Sequence, residues 1–293
     1  MPYPNRVFVN SLPKSGSFLL SKAVELFGYR DYYDADPKQG DTPRCFNYRE
    51  VRDALTKRQE PSVKTDQTSI CAGSQTPLYV RPDIFKQWLS AVSDGWYIAG
   101  HVSYSSALGT VLAELNYRHV FIIRDPRAVL PSLLSFILNT RGLAQSHYLE
   151  PDFKPMSPTQ RMNFILEGGY ARLAGVEVKS FAQVYRSMLA WQNDPDCLVV
   201  HFEDLIGEQG GGSAAKQEAA LRKIADHLGL PFDTHKAAEA EKIYNPSAPT
   251  FRIGQIDSWK HSMEPEAVKR VSEYCEPLCQ EAGYDFSTER GCY

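Results

Sequence analysis

The segment Val7-Phe-Val-Asn-Ser11-Leu-Pro-Lys14-Ser-Gly16-Ser17 constrains the fold more than any other stretch. β-Branched and aromatic residues run straight into Pro13 and a Gly–Ser loop. From 17 to 27 apolar residues then recur at helical spacing, with Gly28 as the stop. That order predicts a buried strand, a tight loop carrying a cation, and a helix. The same order recurs in mid-chain, where a strand over 118–123 ends at Arg124 and a helix starts at Pro126 with Asp125 as its cap. Pro131 predicts a bend or an irregular first turn there. Such loops turn backbone N–H groups and the positive helix end toward an anion. Two of them in one domain suit a ligand with phosphates at both ends.

Further strands are predicted at 95–101 and 197–202, and helices at 48–57, 107–116, 181–191, 213–228 and 264–282. The remainder of 29–66 reads as loop, 142–169 as a poorly periodic lid or acceptor-facing insert, and Gly210-Gly-Gly-Ser as a flexible loop. Strands alternating with helices predict an α/β fold, a three-layer sandwich with a central, mostly parallel sheet flanked by helices. Ligands of such sheets sit beyond the C-terminal strand ends, where Lys14, His101 and Arg124 all fall.

With 293 residues, 43% of them apolar, the chain can bury one large core, so 1–293 is read as a single domain. Its formal charge of -3 gives no polyanion-binding surface, and nucleic acid is not an expected partner. No run reaches the roughly 18 apolar residues of a membrane span, and the N-terminus lacks the apolar centre of a signal peptide. A cytoplasmic location is the expectation. The six cysteines are too scattered for a disulfide scaffold. Cys275 and Cys279 share a helix face, but no second Cys or His pair accompanies them. They are read as buried thiols, and no metal is expected.

The first loop is not the Gly-x-x-x-x-Gly-Lys-[Ser/Thr] form, because Lys14 precedes Gly16. Gly16 lets the backbone approach an oxyanion, Ser15 and Ser17 add hydroxyl donors, and Lys14 adds a point charge. The alternative is an ordinary strand-to-helix turn with a solvated lysine. Arg124 offers a forked guanidinium to a terminal phosphate, or else pairs with Asp125 or caps a neighbouring helix. The stretch Thr250-Phe-Arg252-Ile-Gly254-Gln-Ile-Asp-Ser-Trp259-Lys260 reads as a loop folding over a bound anion, or as a surface loop anchored by Phe251 and Trp259.

Together these residues resemble the sulfotransferases that use 3′-phosphoadenosine-5′-phosphosulfate (PAPS). Lys14-Ser-Gly-Ser matches that family's 5′-phosphosulfate loop, and Arg124 with Ser132, eight residues on, matches its 3′-phosphate site. Phe251-Arg252-Ile-Gly254 followed by Trp259-Lys260 is similar to its C-terminal cofactor loop. Phe202-Glu-Asp204 resembles its Tyr-Glu-Asp segment near the adenine. The resemblance runs in order from about residue 5 to 285, and makes the expected fold P-loop-like, with variable acceptor-facing inserts at about 29–66 and 142–170.

The resemblance implies in-line transfer of a sulfuryl group to a hydroxyl, or less favourably an amine, of a small-molecule acceptor. Adenosine 3′,5′-bisphosphate (PAP) is then the product and no metal takes part. His101 is the implied base, and Lys14 supports the departing phosphate. Lys14, Ser15, Gly16, Ser17, Phe18, Arg124, Ser132, Phe202, Arg252 and Gly254 are the implied cofactor contacts. Phe18 and Leu19 stand where the cytosolic animal enzymes have Thr and Trp. Ile253 replaces the lysine of the Arg-Lys-Gly loop, and Ala99 lies where many relatives carry a lysine. The Thr-Val dimer motif is missing after Lys260, so dimerisation by that route is not implied. Two other readings compete: a P-loop phosphotransferase, for which only Asp125 is a strand-end carboxylate, and a non-catalytic nucleotide-binding module, against which His101 stands. For the acceptor, Tyr32-Tyr-Asp34-Ala-Asp36, Tyr104 and 142–170 are candidate walls. They suit a polar or cationic molecule, or else the tyrosines pack beneath a solvated loop.

Overall fold

A computed structural model describes residues 5–34, 40–63, 68–139, 146–247 and 253–284. Five strands, β1 (Arg6–Ser11), β2 (Arg30–Asp31), β5 (Trp96–Gly100), β6 (Tyr117–Ile123) and β9 (Cys197–His201), form an all-parallel sheet in the order β2-β5-β1-β6-β9. Two antiparallel hairpins stand outside it: β3 (Ile70–Ala72) with β4 (Leu78–Val80), and β7 (Gly169–Ala171) with β8 (Val176–Val178).

Period-two alternation explains why the central strands are apolar throughout. Val7, Val9, Val120, Ile122 and Val200 pack into one cluster with Leu20 and Val24 of α1 (Ser17–Leu26) and with Leu221 and Ile224 of the helix Ala214–Leu228. Their neighbours Phe8, Ile98, Phe121 and Ile123 pack into the opposite cluster. There they meet α2 (Tyr48–Arg58), α3 (Pro82–Ser90), α4 (Ser106–Glu114), α5 (Pro126–Leu138) and the helices Phe181–Leu189 and Pro265–Glu281. The sheet is therefore the middle of three layers, as the sequence predicts. Among the described residues no helix is long and apolar enough to cross a membrane.

Several local expectations are corrected. The 142–170 stretch contains the helices Glu150–Phe153 and Pro158–Glu167, the second opened by a Ser157–Gln160 capping box. Phe153, Met162, Ile165 and Leu166 are buried in the larger cluster, so much of this segment is core. The Gly210 turn is close-packed rather than flexible: a Cβ on Gly210 would lie 2.2 Å from Ile206 Cγ1, and Ile256 N–H donates to the Gly210 carbonyl at 2.9 Å. α5 runs through Pro131 without interruption, with Asp125 capping it as predicted by accepting from Arg127 N at 2.8 Å. Cys275 and Cys279 are buried.

His119 on β6 is 3% exposed, edge-on to Trp191 at 4.3 Å, and its Nε2 has no hydrogen-bond partner among the described residues. Burial, aided by nearby His227, pushes its pKa from 6.5 to about 3. The folded ring stays neutral where the unfolded chain binds a proton. Its contribution to stability is thus fully present above pH 6.5 and is lost toward about pH 3. The loss proceeds at about 1.4 kcal/mol per pH unit. Urea titrations across this range are expected to show a shallower acid limb in His119→Phe than in the wild type; parallel limbs would clear the ring of any part in it.

Candidate active site

β1 carries the chain to the C-terminal edge of the sheet, where the loop 12–16 turns into α1. Lys14 has φ 71° and Gly16 φ 106°, the left-handed region that only glycine enters without cost. Gly16 is required on a second ground: a Cβ there would sit 2.7 Å from Phe202 Cδ2 and 3.1 Å from Ile122 Cδ1. α1 starts directly after it with no side-chain cap, so its first amides take no hydrogen bond from a capping side chain. The Ser15 side chain is buried and its Oγ has no hydrogen-bond partner among the described residues. An uncapped helix start, an orphaned hydroxyl and a cradle with no room for a Cβ fit an anion.

His101 follows β5 and faces the same loop. Its Nδ1 lies 2.8 Å from the Ser11 carbonyl and 3.3 Å from Ser11 Oγ, which in turn lies 2.5 Å from Ser17 Oγ. A carbonyl only accepts, so Nδ1 carries the hydrogen and Nε2 keeps its lone pair. Burial lowers the pKa of the ring below 6.5 and the Lys14 charge lowers it further, while the Ser11 carbonyl opposes them in part. The imidazole is neutral at physiological pH, with its basic nitrogen unengaged by any hydrogen bond among the described residues.

Arg124 closes β6 on the other side of the loop. Its Nη1 donates to the Lys14 carbonyl and Nη2 to the Gln255 carbonyl, both at a long 3.4 Å. Its guanidinium lies 4.1 Å from the centre of the Phe202 ring, and Nε has no partner among the described residues. It does not pair with Asp125, which Arg127 holds instead with contacts of 3.0 and 2.7 Å. Glu203 is engaged by Tyr284 O–H at 2.8 Å and Asp125 N–H at 3.1 Å. Burial raises the Glu203 pKa. A cavity of about 200 Å³ opens beside Arg124, between the start of α5, Glu203, Tyr284 and the segment 256–260.

A sequence model described as the sulfotransferase domain matches residues 4–283. The chain belongs to the sulfotransferase family. Its fold is similar to that of mouse sulfotransferase SULT7A1 complexed with PAP, with TM-score 0.54 and 15% identity over 94% of this chain and 85% of that one. It is also similar to retinol dehydratase in complex with androsterone and inactive cofactor PAP, with TM-score 0.52 and 13% identity over 98% of this chain and 84% of the other. None of the curated protein sequences matches significantly.

In this sulfotransferase the described residues among those singled out by sequence gather at one edge of the sheet. Lys14, Ser15, Gly16, Ser17 and Phe18 form the loop and first turn of α1, with the Phe18 ring 5.2 Å beneath Lys22 Nζ. Ser132 is half-buried on α5, one turn beyond Ala128, which lines the cavity, and one turn before Phe136, whose ring lies 4.6 Å from Lys14 Nζ. Spacing of four puts these three on one helix face. Phe202 joins the Gly16 cradle to Arg124. Gly254 has φ 62°, and its carbonyl packs against Gly210. Trp259 is buried and anchors the segment, with Arg127 4.9 Å from its ring centre. Arg252 and Phe251 lie outside the described residues.

Sequence reasoning missed three features in whole or in part. Asn10 is buried at the end of β1 and bonded to Val102. Glu203 and Tyr284 close one side of the cavity. Beyond Lys14, an aromatic row runs from Phe136 to His147 (5.4 Å, edge-on), Tyr148 (4.5 Å, stacked) and Tyr48 (4.5 Å), with Tyr148 O–H 2.6 Å from Thr76 Oγ1. Each left a partial signal: Asn10 as a polar residue inside an apolar strand, Glu203 within the Phe202-Glu-Asp204 segment, and His147 and Tyr148 within the 142–170 candidate wall.

Gly16→Ala is expected to destabilise the fold by about 2 kcal/mol or more, through strain plus collision with Phe202. Gly175→Ala is a control with φ 67° and nothing within 4 Å of the added Cβ. It is expected to cost only about 1 kcal/mol. Equal losses in urea titration would show that the Phe202 contact is unimportant.

Proposed function

We propose that this sulfotransferase moves a sulfuryl group from PAPS to a hydroxyl, or less favourably an amine, of a small-molecule acceptor, with His101 as the general base. One observation carries the reading: a neutral imidazole with its Nε2 lone pair available stands at the same sheet edge as two candidate anion sites, the loop that holds the orphaned Ser15 hydroxyl and the Arg124 guanidinium with its orphaned Nε. When bound, PAPS supplies the sulfuryl group and a phosphate able to leave with negative charge.

The protein's part is placement and charge. His101 Nε2 takes the acceptor's proton while Nδ1–H stays on the Ser11 carbonyl. Lys14 and the amides at the start of α1 offset charge on the departing side. Arg124, Ser132 and Arg252 are assigned to the 3′-phosphate, so binding far from the reacting atoms orients the donor. The adenine is assigned to Phe18 and Phe202, and Gly254 to backbone contact. That similar folds are crystallised with PAP supports a nucleotide of this kind as the ligand. For the acceptor, the row Phe136–His147–Tyr148 beside Lys14 supplies a wall, two of its members coming from the 142–170 insert. That a relative holds androsterone supports a small-molecule acceptor.

With labelled PAPS and pooled acceptors, His101→Ala is expected to abolish transfer while PAP still binds within about twofold of wild type by calorimetry. Near-wild-type transfer would overturn the assignment. Arg124→Ala is expected to weaken PAP by about 2–3 kcal/mol, roughly 30- to 150-fold. Unchanged affinity would remove Arg124 from the site. Because the His101 pKa lies below 6.5, kcat is expected to stay level down to that pH and fall only below it. An acid limb centred above 6.5 in the pH–rate profile would contradict a buried neutral base.

A further inference from the structure

Past Gly100 the chain turns away from β1. Phe46 N–H donates to the Ala99 carbonyl and the Phe46 carbonyl accepts from His101 N–H, both at 2.9 Å. Residues 101–103 then pair antiparallel with the β3 hairpin, through Gly73 N–H to the His101 carbonyl at 3.1 Å and Ser103 N–H to the Cys71 carbonyl at 3.0 Å. This departure leaves the backbone of β1 and of Val102 facing one another without a strand between them. The Asn10 side chain occupies the gap. Its Nδ2 donates to the Val102 carbonyl at 2.9 Å, and its Oδ1 accepts from Val102 N–H and Ser11 N–H, both at 3.0 Å.

Asn10 is fully buried, so nothing from solvent can replace these bonds. The amide and the Val102 peptide form a two-bond pair, as successive residues of a strand would. Through its third bond the same amide holds Ser11 N–H, and Ser11 supplies the carbonyl that receives His101 Nδ1–H. Both ends of the His101 contact, the residue after the imidazole and the residue bearing its acceptor, are thus tied to one side chain.

We propose that Asn10 is the positioning residue for the base, its carboxamide fixing both the place of His101 and the tautomer that leaves Nε2 free. This rests on the reading of His101 as base. An apolar side chain at position 10 fills the volume but leaves the Val102 and Ser11 N–H groups unpaired, while the Val102 carbonyl keeps only the Trp191 Nε1–H bond at 2.9 Å. An aspartate keeps the two accepted bonds but turns an oxygen toward the Val102 carbonyl, where Asn10 donates.

The test uses the full-length protein with 15N-labelled histidine. In wild type, long-range 15N–1H spectra are expected to show His101 as the Nδ1–H tautomer alone. In Asn10→Ala both tautomers are expected, with kcat down about 100-fold while PAP affinity stays within about twofold. Asn10→Asp is expected to fall about tenfold, between the two, and carries the test should the alanine variant not fold. Wild-type kcat or an unmixed Nδ1–H tautomer in the folded variants would overturn the proposal. Failure of the base assignment is separately visible, as His101→Ala retaining transfer while the tautomer of the wild-type ring still reads as above.

Discussion

An imidazole accepts a proton at one nitrogen only while the other is held as N–H, and at His101 a backbone carbonyl does the holding. That carbonyl belongs to Ser11, the last residue of β1, while the ring follows the last residue of β5. Their meeting therefore requires β1 and β5 to be adjacent and parallel, with Asn10 opposite Gly100. Gly100 itself has little room: a Cβ would come within 3.0 Å of Phe8 and 3.1 Å of Phe46. The apolar packing that sets the sheet register is thus also what aims the His101 ring.

Charge at the other end of the site is arranged by giving each buried carboxylate a partner other than Arg124. Asp125 is taken by Arg127 and caps α5; Glu203 is taken by Tyr284 and by the Asp125 amide. Arg124 is left with two long carbonyl contacts and the face of Phe202. A buried cation so weakly satisfied is costly in the free protein, and a phosphate answers that cost directly. Phe202 links the two halves, since one face of its environment is Arg124 and another is the Gly16 cradle.

The large elements were legible in the sequence because strands buried on both faces read as unbroken apolar runs. Val7 to Val9 and Val120 to Ile123 are of that kind. β2 is two residues at the sheet's edge, and β3 and β4 are three each, too short to leave a period. The helix Pro158–Glu167 escaped because only Met162, Ile165 and Leu166 mark its inner face. Lys14, His101 and Arg124 were legible from their order along the chain. Tyr284 and Phe136 were not, since their part depends on which distant segments the fold brings against them, and Glu203 was visible only as a member of the Phe202-Glu-Asp204 segment. Asn10 is intermediate: its polarity in a core strand was visible, but its partner Val102 lies 92 residues away.

The central claim is one pocket that grips an adenine nucleotide at both of its phosphates. Calorimetric titration of the wild-type protein with PAP and with 5′-AMP, in metal-free buffer, tests it most directly. One saturable PAP site, with 5′-AMP bound at least about 30-fold more weakly for want of the 3′-phosphate, is the predicted result. Equal affinity for the two nucleotides, or no binding of PAP, would contradict it.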